Sequence, residues 1–202
     1  MILRRLFGRK PVRETGLDPN ALTLRAMEGD WTCACCGERF HGIMDIAADH
    51  PDPWPHGEGY EPNSALRLDG DFLSEDFCVL GGEHFLVRCV LEFPVHGLDR
   101  TWGFGCWSSL SRENFDKYVD GFDTGEYEGD GPWFGWLCNG LKPDFVFDHS
   151  VAVDVCPRPG RQRPLLSVTD DDNPIAIAQR NGLSAEGLLT ILRANGHGPT
   201  VQ

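Results

Sequence analysis

Apolar and polar residues alternate most clearly in the middle of the chain. Phe85, Val87, Cys89, Leu91, Phe93 and Val95 recur at every second position, with Arg88 and Glu92 among the residues between them. Successive side chains on a strand point to opposite faces, so this run predicts a long strand with one face in the core. Phe77-Cys-Val-Leu80 precedes it across Gly81-Gly82, a pair that favours a tight hairpin turn. Thr101 to Leu110 follows as an antiparallel partner, with Trp102, Phe104 and Cys106 on one face. Gly103 and Gly105 weaken that partner and signal a bulge or a close backbone approach. Val151, Val153 and Val155 predict another strand, and Pro164 to Thr169 one more.

Helix signals flank this region. Asp18-Pro-Asn offers a cap and a first-turn proline for a helix to about Met27, ended by Gly29-Asp30. Ser111 caps a helix through Asp120, with Phe115, Tyr118 and Val119 as its apolar stripe and Gly121 as its stop. Asn173-Pro174 opens a short helix that Gly182 ends. Ser184 caps the last one, through Asn195, with Leu188, Leu189, Ile191 and Leu192 apolar and Gly196 closing it. Residues 49–65, crowded with prolines and glycines, and the acidic, glycine-rich residues 121–132 read as loops. The pattern predicts an α+β fold: a curved antiparallel β-sheet packed by two or three helices, with an N-terminal Cys-x-x-Cys-Gly zinc-knuckle-like turn at its edge. Strand and helix do not alternate, which argues against a parallel α/β sheet.

Length and charge narrow the class. A chain of 202 residues can bury a sizeable core without covalent staples. Its net charge of −13 argues against a nucleic-acid backbone as partner. The bases Arg4, Arg5, Arg9, Lys10 and Arg13 precede the first acid, so residues 1–17 read as a basic flexible arm and 18–202 as a single α+β domain. The basic start lacks the apolar core of a secretory signal, and no run is apolar enough for a membrane span. Eight cysteines without an export signal point to a reducing, cytoplasmic setting.

The candidate chemistry centres on Cys33 and Cys36 in Trp31-Thr-Cys-Ala-Cys-Cys-Gly37. Two thiolates at this spacing form half of a tetrahedral zinc site. His41, His50, His56 and Cys78 are candidates to complete it, and the expected set is Cys33, Cys36, His41 and Cys78. The same pair also reads as a plain reduced thiol pair or as a redox dithiol. His41, Asp45, Asp49, His50 and His56 are a second constellation, able to hold a hydrolytic metal if they share a helix face. Cys106 or Cys89, with His84 or His96 as base, is a third option, set against core packing. Trp102, Trp107, Trp133, Phe134 and Trp136 divide between core and an exposed protein-binding patch.

Several of these segments resemble one bacterial family. They are Trp31-Thr-Cys-x-x-Cys-Gly37, Ser64-Ala-Leu-Arg-Leu-Asp-Gly-Asp-Phe-Leu-Ser-Glu-Asp-Phe-Cys-Val-Leu80 and Phe85-Leu-Val-Arg88. Gly105-x-Trp-Ser-x-Leu-Ser111 with Asn114-Phe115, Phe134-Gly-Trp-Leu137, Arg163-Pro-Leu-Leu166 and Asn173-Pro-x-Ala-x-x-Gln-Arg-x-Gly182 extend the match. Together, over residues 30–185, they resemble Domain of Unknown Function 2199. The resemblance implies a small bacterial cytoplasmic protein without an assigned activity, whose recurring cysteines are Cys33, Cys36 and Cys78 here. His41 stands one residue further behind Gly37 than the family pattern implies, and Cys138 to Val155 departs from it. The expected function is a zinc-stabilised protein-binding or regulatory module without catalytic residues, its partner another protein met through an aromatic and acidic surface. The alternative is an enzyme using His41, Asp45 and His50 or a reactive cysteine.

Overall fold

The computed structural model describes residues 18–57, 59–127 and 130–199; the basic arm expected over residues 1–17 lies outside them. In chain order the elements are α1 (Pro19–Met27), β1 (Asp30–Thr32), β2 (Arg39–His41), β3 (Ile46–Ala47), β4 (Phe72–Leu73), β5 (Phe77–Leu80), β6 (His84–Pro94), β7 (Thr101–Leu110), α2 (Arg112–Phe122), β8 (Trp133–Leu137), β9 (Val151–Cys156), β10 (Leu165–Val168), α3 (Pro174–Asn181) and α4 (Ala185–Ala194).

The alternating run is β6, and its length organises the sheet. One edge pairs with β7 in unbroken antiparallel register, from Phe85↔Leu110 to Pro94↔Thr101. The other edge takes β5 at residues 84–87 and β10 at Val90. Strands β6 to β10 form an up-and-down meander, and β10 returns to β6, closing a ring of five strands. An odd number of alternating strands must close on a parallel pair, which is Leu165↔Val90 here. A second parallel pair joins β3 to β7. The sheet is therefore mostly, and not wholly, antiparallel.

The glycines of β7 mark a close approach and not a bulge. A Cβ on Gly105 would lie 2.7 Å from that of Ala47 on β3. Gly121 does not stop α2, which continues to Phe122. A Cβ there would lie 2.6 Å from the Tyr127 ring, so the glycine admits that ring.

Phe85, Val87, Cys89, Leu91 and Phe93 point inward to meet Trp102, Cys106, Trp133, Val153 and Val155, all buried. Each such side chain contributes roughly 1.5–3 kcal/mol through burial. Helix α2 lays Phe115 and Tyr118 on Phe77. Helix α3 lies against β6 and β10, and its Gln179 amide serves β10 directly, accepting from Val168 N and donating to Leu166 O. Helix α4 buries Leu188, Leu189, Ile191 and Leu192 and packs beside α1. That pairing carries the end of α4 to the Cys33 turn. On the other face of β6, buried Arg88 donates to Ala48 O at 2.9 Å and Tyr60 Oη at 3.3 Å, fastening the proline-rich loop. Among the described residues no helix is long and apolar enough to cross a membrane.

Candidate metal centre

Strands β1 and β2 form a short hairpin whose connection is the cysteine turn. Cys33 N donates to Glu38 O at 2.8 Å and Gly37 N to Cys33 O at 3.0 Å. Gly37 sits at φ +76°, in the left-handed region where a side chain is strained. Trp31 and Phe40 pair across the hairpin with ring centroids 5.0 Å apart.

The third participant comes from the far end of the chain. Helix α4 ends with Gly196 at φ +82°. His197 N then donates to Leu192 O at 2.8 Å and Gly196 N to Arg193 O at 3.2 Å. This is the Schellman arrangement, in which a left-handed glycine turns the chain back over the last helical carbonyls. It delivers the His197 imidazole to the sulfurs, with Phe40 edge-on to it at 5.8 Å. Ala34 N donates to Gly198 O at 2.7 Å, and Cys33 pairs with Pro199 in an antiparallel bridge.

Cys33 Sγ, Cys36 Sγ and a ring nitrogen of His197 all lie within 4.8 Å of one another. Cys33 Sγ stands 4.0 Å from His197 Nδ1. Zinc bonds of ordinary length would set a sulfur and a nitrogen about 3.6 Å apart in a tetrahedron, so small side-chain movements suffice. Two sulfurs and an imidazole are donors that suit zinc.

The electrostatics favour a thiolate at Cys33. Its burial pushes the thiol up, but backbone N–H groups of Cys36, Gly198 and Cys35 outweigh this and bring it down to about 6. Cys35 N and Gly198 N each stand 3.4 Å from the sulfur. Cys36 is raised: the Glu38 N–H lowers it, but desolvation and the neighbouring Cys33 prevail.

The other candidate residues lie elsewhere. His41 Nδ1 is held by Asp30 at 2.9 Å on an exposed rung of the hairpin. Cys78 is buried beside Leu73, Leu86 and Trp107, and burial pushes its thiol up to about 12. The structure joins neither to Cys33 and Cys36. Asp45 accepts from Gly103 N and pairs with Arg100, His50 Nδ1 lies 2.9 Å from Pro51 O, and His56 meets Asp71. No helix runs through 41–50 to gather them on one face. Cys89 and Cys106 face each other across β6 and β7, fully buried, with both thiols raised by burial. His96 is held by Asn181 O at 2.7 Å. Trp102, Trp107 and Trp133 are core; Phe134 and Trp136 stay exposed, 5.1 Å apart edge to face.

His197 carries no local signal in the sequence, because ligand spacing is short-range and this residue follows Cys36 by most of the chain. The only hint is that Gly196 and His197 directly follow the last helix.

A family model described as an uncharacterised protein conserved in bacteria (DUF2199) matches residues 32–183. That segment contains Cys33 and Cys36 and stops short of His197. No curated protein matches the chain. No solved structure matches it either.

Proposed function

The chain belongs to the DUF2199 family of uncharacterised proteins conserved in bacteria, and from that premise we propose that it is a zinc-stabilised protein-binding or regulatory module without catalytic activity. Zinc bound by Cys33, Cys36 and His197 clasps the cysteine turn to the end of α4. The reading rests on the three ligand atoms gathered within 4.8 Å from opposite ends of the sequence. Thiolates release their protons on binding, and the N–H groups aimed at Cys33 stabilise the charged sulfur in advance. The exposed Phe134–Trp136 pair on β8 is the face offered to a partner protein.

Elemental analysis of the full chain, purified under reducing conditions, tests the clasp. One zinc per chain is expected, and His197→Ala should lose most of it. At zinc a hundredfold above the dissociation constant, binding contributes about 2.7 kcal/mol to stability. For a chain of this size that raises the melting temperature by roughly 5–11 °C. Substoichiometric zinc with no thermal shift on chelation removes the proposal.

A further inference from the structure

We infer that Cys35 supplies the fourth ligand, making the centre a three-cysteine, one-histidine site; this rests on the zinc reading above. Structural zinc is almost always four-coordinate, and Cys33, Cys36 and His197 leave one position of the tetrahedron open. Among the described residues, His41 and Cys78, the other expected ligands, do not reach it. His41 stands three residues along β2 from Glu38, about 10 Å at the rise of a strand, and its ring is engaged by Asp30. Cys78 is enclosed in a separate apolar cluster on the sheet.

The Cys35 sulfur lies outside the group of three ligand atoms within 4.8 Å, but its backbone is placed beside that group. Its backbone N–H points at Cys33 Sγ from 3.4 Å, which holds the residue against that sulfur. The residue is exposed, so its side chain is free to change rotamer. One such step about χ1 moves a cysteine sulfur by about 3 Å, enough to turn it from a neighbour of the pair into a member of the shell.

Zinc K-edge absorption on the full chain loaded with one equivalent of zinc decides the matter. The expected shell has three sulfurs at about 2.3 Å and one nitrogen at about 2.0–2.1 Å. Cys35→Ser, at an exposed position, should keep the fold and one zinc but show two sulfurs. Its zinc affinity should fall by more than about tenfold, the cost of losing merely a hydrogen-bonded neighbour of a ligand. Maleimide mapping of the zinc-loaded wild type should find Cys35 protected along with Cys33 and Cys36. Two sulfurs in the wild type, unchanged in Cys35→Ser, overturn the inference and leave the clasp intact. A wild type that binds no zinc overturns the clasp itself.

Discussion

Gly196→Ala tests how the fold delivers its distant ligand. Gly196 sits at φ +82°, and an added Cβ meets nothing within 4 Å. The cost is therefore conformational and not steric: a left-handed alanine is disfavoured by about 1–2 kcal/mol. That conformation makes possible the bonds from His197 N to Leu192 O and from Gly196 N to Arg193 O. With saturating zinc the variant should be less stable by that amount, a fall in melting temperature of roughly 2–8 °C. If the strain is felt only in the clasped form, zinc affinity drops about 5- to 30-fold, since each 1.4 kcal/mol is a factor of ten.

Scanning calorimetry at saturating zinc and competition against a chromophoric chelator measure the two quantities. Gly196→Asn should fall between the parent and Gly196→Ala, because asparagine tolerates the left-handed region better. Gly57→Ala is the control. Gly57 has an ordinary φ and open space for a Cβ, so the change should be close to neutral. An alanine variant within about 0.5 kcal/mol of the parent, the scatter of ordinary surface changes, refutes the reasoning. So does an asparagine variant worse than alanine.

Gly135→Ala probes the seam between β7 and β8: its Cβ would stand 2.4 Å from Ser109 O and 2.5 Å from Ser108 Oγ. Overpacking against backbone should cost about 3 kcal/mol in urea titration, and a neutral result argues against the seam as drawn. Asn139→Ala should cost about 2–3 kcal/mol by the same assay, because it leaves the buried N–H of Trp107 unpaired and frees His50 O and Asp52. Asp71 governs part of the acid limb, its carboxyl held below the usual range first by Gly81 N–H and then by His56. A depressed carboxyl stabilises the fold fully above the unfolded value of about 3.9 and loses that contribution as pH falls through the folded value. Asp71→Asn should therefore flatten the loss of stability on acidification below about pH 4, and identical acid limbs contradict this.

What the sequence made legible follows the range of each interaction. The alternation of β6, the caps at Ser111, Asn173 and Ser184, and the glycine that ends α4 are local, and each fixed an element before any tertiary contact. Ring closure was not legible, because β10 meets β6 through one register pair between residues far apart in the chain. The centre divides in the same way. Cys33 and Cys36 announce themselves by spacing, since a turn of four residues brings their sulfurs together whatever the rest of the chain does. His197 acquires meaning only after α4 has docked on α1 and its glycine has reversed the backbone. On the proposed clasp, a ligand set assembled from both ends makes metal affinity depend on closure of the intervening fold. Any substitution that loosens α4 should therefore weaken zinc without touching a ligand, whereas in a self-contained knuckle affinity would ignore α4 altogether.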